Sequence, residues 1–261
     1  MAELAMVTGA SSGIGQAYAE RLARDGWDLV VVARRRELLE ALARRLTDAH
    51  GITVRVLPAD LAAPDQLQRL TDEVVRLPLG MLVNNAALAH YMPFAELSVD
   101  RAQELMQLNV LAPVLLSRAA VNGMIERSRG AVINIASLLA FSGTSEGPNL
   151  PARVVYAASK SFLVTFSQLL AAELKGRGVR VQVVCPGVVR SEFHTRQGID
   201  LSSVPRMEPD AVVQASLMDL ERGEVLCIPG LEDAGAAARV DAAFGELMSV
   251  TRVPELPGRY R

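Results

Sequence analysis

A tyrosine and a lysine lie four residues apart in the segment Tyr156-Ala157-Ala158-Ser159-Lys160. In a helix, side chains at positions i and i+4 share a face, so the phenol and the ammonium group would reach the same pocket. The chain has only two lysines among 27 basic residues, which makes a chance pairing of this kind rare. A cation within about 4–6 Å favours the ionised phenol and lowers its pKa below the ordinary value near 10. The pair therefore predicts a general acid/base that exchanges a proton with a carbonyl or alcohol oxygen.

A glycine-rich segment follows the first apolar run of the chain and precedes a helical pattern. Its sequence is Thr8-Gly9-Ala10-Ser11-Ser12-Gly13-Ile14-Gly15. A helix N-terminus offers free backbone N–H groups and the positive end of a dipole, both of which suit a pyrophosphate. Glycines permit the tight turn and the close approach of the backbone. The segment predicts a nucleotide site whose contacts come from Gly9, Ser11, Ser12, Gly13, Ile14 and Gly15.

Short apolar runs alternate with helical patterns along the whole chain, which is typical of a doubly wound α/β sheet. The predicted strands are 4–8, 28–33, 53–57, 81–84, 131–136, 179–184 and 225–228. The predicted helices are 13–24, 36–49, 65–76, 100–126, 155–175 and 209–221. Since the strands are apolar throughout, we expect a parallel sheet of about seven strands with helices on both faces. No linker or repeat interrupts the pattern, so one domain is predicted over residues 1–261.

The composition argues against several classes of protein. A net charge of −2 and an aromatic content of 4% give no basis for holding nucleic acid. The two cysteines, Cys185 and Cys227, and three scattered histidines predict neither a disulfide framework nor a metal site. The apolar window 105–124 contains polar groups such as Asn109 and Arg118, which are costly in lipid. We expect a cytoplasmic enzyme without nucleic-acid or membrane partners.

The spacing Gly-x-x-x-Gly-x-Gly resembles that of the classical short-chain dehydrogenase/reductase family, and further motifs extend the resemblance over residues 3–230. Asn84-Asn85-Ala86-Ala87 is similar to the family's Asn-Asn-Ala-Gly, with Ala87 in place of glycine. Ser191 stands where the family's Pro-Gly-x-x-x-Thr turn has threonine. The resemblance implies a Rossmann-type fold and these further cofactor contacts: Asp60, Leu61, Asn85, Ala86, Ala87, Tyr156, Lys160, Pro186, Gly187, Val189 and Ser191.

The resemblance also implies a catalytic set of Asn109, Ser137, Tyr156 and Lys160. Ser137 would polarise and orient the substrate oxygen, Asn109 would shape a water path to Lys160, and Lys160 would also bond the cofactor ribose. The implied reaction is hydride transfer between a nicotinamide and a carbonyl or alcohol. Two alternatives remain open: an isomerase or dehydratase that uses the same site without net redox change, and a non-catalytic NADP-binding sensor.

The arginine run that follows the second predicted strand bears on the choice of cofactor. An NAD site would place an acidic residue there, whereas this chain has Arg34 and Arg35. A guanidinium is planar and permanently charged and can bond a 2′-phosphate twice. In the resembling family Arg34 corresponds to the discriminating position, and Arg35 does so less clearly. We therefore expect NADP(H) to be preferred over NAD(H).

Two irregular segments, 142–153 and 191–205, follow strand ends, where open α/β sheets bind ligands. The expected substrate contacts are Leu138, Leu150 and Phe193, which favour a small, apolar carbonyl or alcohol. Tyr156 lies 19 residues after Ser137, a longer stretch than in the resembling family. The extra residues would fall within 142–153, either as a wall of the pocket or as a surface insertion beside it.

The assembly is predicted only in outline. The resemblance implies a homodimer or homotetramer built through the helices 100–126 and 155–175, without deciding between the two. The tail 240–261 would either cap a neighbouring subunit or fray.

Overall fold

The computed structural model describes residues 3–143, 145, 150–201, 203–233 and 235–249. The chain divides into two compact units, residues 1–229 and 230–261. The first unit contains the sheet and the candidate site, and the described part of the second contains one helix. The prediction of a single domain stays a prediction.

One parallel sheet forms the centre of the first unit. Its strands are β1 (Leu4–Thr8), β2 (Asp28–Ala33), β3 (Val54–Pro58), β4 (Leu79–Asn84), β5 (Gly130–Ile135), β6 (Val179–Val184) and β7 (Leu226–Cys227). They are ordered β3-β2-β1-β4-β5-β6-β7. The order reverses between β1 and β4, which opens a crevice at the carboxyl ends of the strands. The predicted doubly wound, Rossmann-type fold is confirmed.

Helices cover both faces of the sheet. They are α1 (Gly13–Arg24), α2 (Arg36–His50), α3 (Pro64–Val74), α4 (Val99–Met106), α5 (Ala112–Glu126), α6 (Val154–Glu173), α7 (Glu192–Thr195) and α8 (Pro209–Arg222). A π-helical turn, Gln107–Leu111, joins α4 to α5, and two short 3-10 helices cover Phe94–Glu96 and Leu138–Phe141. The second unit contains α9 (Gly235–Ser249).

Neighbouring residues of one strand belong to opposite layers of the core. Val7 packs with the cluster that includes Tyr18 of α1 and Val213 of α8. Met6 packs with the cluster that includes Leu67 of α3. Successive side chains of a strand point to opposite faces, so both must be apolar when helices cover both. This is why the strands show no alternation of polar and apolar residues.

Some elements differ from the sequence prediction. The predicted helix 100–126 is divided by the π-helical turn, which contains Asn109. The last strand spans two residues rather than the four of 225–228. The tail predicted from residue 240 begins inside α9, and residues 250–261 lie outside the described part. Within the 142–153 segment, residues 144 and 146–149 are also outside it.

Two helical stretches, Val99–Glu126 and Val154–Glu173, are long and apolar enough to cross a membrane by length and composition alone. This is weak evidence, since core helices pass the same test. Leu116 of the first stretch and Leu163 of the second are buried in the core of the unit. Packing in the core of the unit thus buries part of each apolar stretch.

Candidate active site

The glycine-rich turn closes tightly against the end of β4. Asn85 Nδ2 donates to the carbonyl oxygens of Thr8 at 2.9 Å and Gly9 at 3.3 Å. Gly9 has φ of 66°, and a Cβ there would lie 2.7 Å from Asn85 Nδ2. Ser12 precedes α1 without capping it through its side chain, which leaves the first N–H groups of the helix available. The turn thus fits the pyrophosphate of a dinucleotide.

Arg35 lies across this turn. Its Nη2 donates to Ser11 O at 3.2 Å, Ser11 Oγ at 2.9 Å and Ser12 Oγ at 3.1 Å. Its Nη1 donates to Glu192 Oε2 at 3.1 Å. Arg34 is exposed at the same cavity. The sequence analysis expects Arg34 to be the main residue that discriminates between NADP(H) and NAD(H), whereas the hydrogen bonds with the turn come from Arg35.

Glu192 was not identified from the sequence. Burial pushes the pKa of its carboxyl upward, but hydrogen bonds and charges from Arg35 and Arg196 outweigh burial and hold the pKa below its ordinary value. Glu192 therefore stays ionised and competes for Arg35 with any anion bound at the turn.

The predicted catalytic side chains meet at the carboxyl edge of β5. Tyr156 and Lys160, in the first two turns of α6, are both buried. Lys160 Nζ lies 5.7 Å from the centroid of the Tyr156 ring and donates to the Ile135 carbonyl oxygen at 2.9 Å. Ser137 follows β5, and its Oγ accepts from Leu139 N at 3.2 Å. That bond uses a lone pair of the oxygen, and the Ser137 side chain also hydrogen-bonds with the Tyr156 hydroxyl.

Burial determines the protonation states of Tyr156 and Lys160. It raises the pKa of Tyr156 well above 10, and Tyr91 raises it further, against a lowering by the hydrogen bond from Ser137. Burial lowers the pKa of Lys160 to about 8. In the protein by itself, desolvation outweighs the effect of the neighbouring cation, so the Tyr156 phenol keeps its proton at neutral pH. The lowered pKa expected with an oxidised nicotinamide beside the phenol stays a prediction.

Aromatic rings surround the phenol on the side of the cavity. The ring centroid of Tyr156 lies 5.4 Å from that of Tyr91 and 6.1 Å from that of Phe193. Tyr91 also stacks on His194, with centroids 6.3 Å apart. The sequence indicated Phe193 but neither Tyr91 nor His194. One signal for Tyr91 existed, since it lies in the loop after β4, at the edge where parallel sheets bind ligands.

Asn109 has a different set of contacts from the one expected. Its Nδ2 donates to Leu88 O at 2.9 Å and Ser159 Oγ at 3.2 Å, and its Oδ1 accepts from Leu88 N at 3.0 Å. The side chain is fully buried. The amide thus holds the loop after β4 against α6, and a water path to Lys160 stays a prediction.

One cavity of about 1290 Å³ joins the turn to the catalytic set. This exceeds the roughly 300–1,000 Å³ of most ligand pockets and leaves room for a dinucleotide and a substrate together. The predicted residues that line it are Gly9, Ser11, Ser12, Ile14, Arg34, Arg35, Leu61, Asn85, Ala86, Ala87, Ser137, Leu138, Leu150, Tyr156, Lys160, Pro186, Gly187, Val189, Ser191 and Phe193.

Four predicted residues are not part of that lining: Gly13, Gly15, Asp60 and Asn109. The two glycines shape the turn from behind, since a Cβ at Gly15 would lie 2.4 Å from the Gly9 carbonyl oxygen. Asp60 Oδ1 accepts from Ala62 N at 3.0 Å and closes a local turn. Its contact with the cofactor stays a prediction.

Comparison with known proteins places this geometry in a family. Residues 3–201 match the family model described as short chain dehydrogenase. The chain belongs to the short-chain dehydrogenase family. This confirms the resemblance found in the sequence and makes the protein an oxidoreductase of that family with a nucleotide-binding Rossmann fold.

Relatives of this short-chain dehydrogenase include a 3-oxoacyl-CoA reductase and a hydroxysteroid dehydrogenase. It is 31% identical over 218 residues to the very-long-chain 3-oxoacyl-CoA reductase of Anas platyrhynchos, a match covering 82% of this chain and 67% of the relative. It is 32% identical over 225 residues to the 17-beta-hydroxysteroid dehydrogenase type 3 of Danio rerio, covering 84% and 70%.

Two solved structures match nearly the whole dehydrogenase. A short-chain dehydrogenase from Sphingobium yanoikuyae in complex with NADPH is 38% identical, with a TM-score of 0.93 over 99% of this chain and 100% of that one. The bulky-bulky ketone specific alcohol dehydrogenase from Comamonas testosteroni is 32% identical, with a TM-score of 0.88 over 99% and 98%.

Proposed function

We propose that the protein is an NADPH-dependent carbonyl reductase, or in the reverse direction an alcohol dehydrogenase, with Tyr156 as its general acid/base. The observation that carries this proposal is the buried Tyr156 phenol, which lies beside Lys160 in a cavity shared with the glycine-rich turn. Hydride transfer to a carbonyl group requires a proton donor and a dinucleotide-binding turn in the same cavity.

The roles of the side chains follow from their positions. A nicotinamide dinucleotide bound at the turn supplies the hydride. Tyr156 donates its phenol proton to the carbonyl oxygen, and the Ser137 hydroxyl donates a hydrogen bond to the same oxygen and fixes its orientation. The Lys160 ammonium group binds the ribose of the cofactor, as the family resemblance implies. Tyr91 and Phe193 shield the phenol from water, which keeps it protonated until substrate binds.

The preference for NADP(H) is supported by positive charge at the cleft. Arg35 lies over Ser11 and Ser12, and Arg34 lines the same cavity, so two guanidinium groups are available for a 2′-phosphate. The Sphingobium yanoikuyae relative was solved with NADPH. An acidic partner for a ribose 2′-hydroxyl is missing at the end of β2, where Arg34 and Arg35 stand instead.

The substrate class is supported by the apolar part of the cavity. Leu138, Leu150 and Phe193 line it, and the Phe193 ring centroid lies 6.1 Å from that of Tyr156. We infer that the substrate is a ketone with large apolar groups on the carbonyl carbon. The names of the relatives point the same way, since one is specific for bulky-bulky ketones and another reduces very-long-chain 3-oxoacyl-CoA.

A second copy of the chain is the proposed partner. Large apolar side chains are exposed on the two stretches expected to form subunit contacts, namely Met106, Leu111, Leu115, Phe162 and Leu169. Burying such a set stabilises association by roughly 25 cal/mol per Å² of apolar area. Light scattering on the purified chain tests whether a dimer or a tetramer forms.

The decisive experiment follows NADPH absorbance with a panel of ketones of increasing size. We expect oxidation of NADPH with apolar ketones, weaker activity with NADH, and loss of turnover in Tyr156→Phe. Product analysis must show the alcohol in amounts equal to the NADPH consumed. A wild-type protein that binds NADPH but reduces no carbonyl compound in the panel would contradict the proposal.

A further inference from the structure

Arg153 is the last residue of the 142–153 segment and directly precedes α6. Its carbonyl oxygen accepts from Ala157 N at 2.7 Å, in the first turn of the helix. Tyr156 follows three residues later, so Arg153 joins this segment to the helix that carries the catalytic phenol.

The guanidinium of Arg153 donates four hydrogen bonds to three residues of the segment. Nε donates to Ser142 Oγ at 2.8 Å, and Nη2 donates to the Ser142 carbonyl oxygen at 2.9 Å. Nη2 also donates to the Ser145 carbonyl oxygen at 2.9 Å, and Nη1 to that of Pro151 at 3.2 Å. All four acceptors are neutral and three belong to the main chain. The cation therefore holds backbone in place through these bonds.

The contacts of Arg153 continue into the 3-10 helix Leu138–Phe141. Ser142 Oγ, which accepts from Arg153, donates its own proton to the Leu139 carbonyl oxygen at 2.7 Å. Ser142 is only 8% exposed. Because Ser137 caps this short helix, a chain of hydrogen bonds runs from the region of the catalytic serine to the start of α6.

The residues held in this way lie on the cavity. Ser142, Ser145, Leu150 and Pro151 all line it, and none of them belongs to the glycine-rich turn. We call these four residues the substrate wall. Leu150 directly precedes Pro151, whose carbonyl oxygen accepts from Arg153. Substitution of Arg153 therefore removes the hydrogen bonds that hold this wall.

We propose that Arg153 is a specificity-determining residue that fixes the substrate wall by fastening Ser142, Ser145 and Pro151 to the start of α6. The inference rests on the proposed ketone reduction. A ketone with two large groups contacts the whole wall, whereas a compact ketone contacts only the part near Tyr156. Lysine cannot replace the arginine, because its three donors radiate from one nitrogen and do not reach acceptors spread along a planar fork.

The test compares Arg153→Ala and Arg153→Lys with a matched control, Arg222→Ala, in the full chain. Arg222 is an exposed arginine on α8 that pairs with Asp219 at 3.3 Å. The measurements are kcat and KM at saturating NADPH for 1,3-diphenylpropan-2-one and for cyclohexanone. We expect the ratio of kcat/KM for the large ketone to that for the compact one to fall at least about tenfold in both Arg153 variants, chiefly through KM. The control ratio and the NADPH dissociation constants should not change.

Several outcomes overturn the proposal. An unchanged ratio in the Arg153 variants does so, and so do equal losses for both ketones, which would indicate a general disturbance of α6. If Arg153→Ala does not fold, Ser142→Ala keeps the cation and removes one acceptor. It should lower the same ratio by a smaller factor, and no change there also counts against the proposal.

Failure of the proposed function is a separate result. If the wild-type protein reduces neither ketone, hydrogen exchange of the peptide covering 138–145 decides the role of Arg153. Faster exchange in Arg153→Ala than in Arg222→Ala supports the fastening of the wall. Equal exchange in the two variants overturns it.

Discussion

The ring of Tyr91 meets the ring of Tyr156 edge to face, with centroids 5.4 Å apart and an angle of 66° between the planes. Tyr91 comes from the loop after β4, and Tyr156 comes from α6, so the contact joins two elements that are distant in sequence. An edge-to-face pair of this kind fixes the direction of the catalytic phenol without a covalent or ionic link.

This contact predicts a graded effect of substitutions at Tyr91. Aromatic pairs are worth about 0.5–1.5 kcal/mol, so Tyr91→Ala should lower kcat by about 2- to 10-fold. Tyr91→Phe keeps the ring but removes the hydroxyl that is hydrogen-bonded to Tyr156, so it should lower kcat by a smaller factor than Tyr91→Ala. Steady-state kinetics with one ketone measures both. Equal damage in the two variants would show that the hydroxyl of Tyr91, rather than its ring, is what matters.

Tyr156→Phe removes only the hydroxyl from a buried ring that keeps its contacts. We expect kcat to fall by about 10²–10⁴, the usual contribution of a general acid or base. The dissociation constant of NADPH, measured by its fluorescence, should remain the same because the glycine-rich turn is unchanged. Turnover within about tenfold of the wild type would contradict the assignment of Tyr156 as the acid.

The ion pair between Arg35 and Glu192 predicts an effect on cofactor affinity. Glu192→Gln keeps the size of the side chain and removes the charge that competes for Arg35. Since exposed ion pairs are worth about 0.2–1 kcal/mol, NADPH should bind about 1.5- to 5-fold more tightly. In an Arg35→Ala background the same change should have no effect, which isothermal titration of the four variants can establish. Equal effects in both backgrounds would show that Glu192 does not act on NADPH affinity through Arg35.

The pKa of Lys160, which burial lowers to about 8, predicts how NADPH binding depends on pH. The ammonium is charged below that pH and neutral above it, so its attraction for the cofactor is lost as the pH rises from 7 to 9. The dissociation constant should therefore increase over this range in the wild type and stay flat in Lys160→Met. Tyr156→Phe should keep the wild-type slope, because burial holds that phenol protonated throughout.

The sequence predicts the sheet and the catalytic pair well for a physical reason. Strands buried on both faces leave long apolar runs, and the helical period fixes α1 at Gly13–Arg24, the same bounds as in the structure. Tyr156 and Lys160 lie on one turn of a helix, so their proximity follows from spacing alone. Ser137 joins them because the carboxyl end of a buried strand must lie at the sheet edge.

The parts that the sequence did not predict depend on contacts between distant segments. Tyr91 comes from a loop and His194 from the short helix α7, and their contact joins segments that are distant in sequence. The role of Arg153 depends mainly on carbonyl oxygens, which every residue has, so no residue type marks them. The burial that raises the pKa of Tyr156 was not predicted either, because burial is a property of the packed molecule.

The side-chain amide of Asn109 forms hydrogen bonds with both the backbone N–H and the backbone C=O of Leu88, as a neighbouring strand would. Only a side chain with a donor and an acceptor side by side can do this. If ageing of the protein converted the amide to a carboxylate, the new oxygen would face the Leu88 carbonyl oxygen and repel it. A change of one mass unit would then release the loop that carries Tyr91. Asn109 is fully buried, which protects this weak point from the water that such hydrolysis consumes.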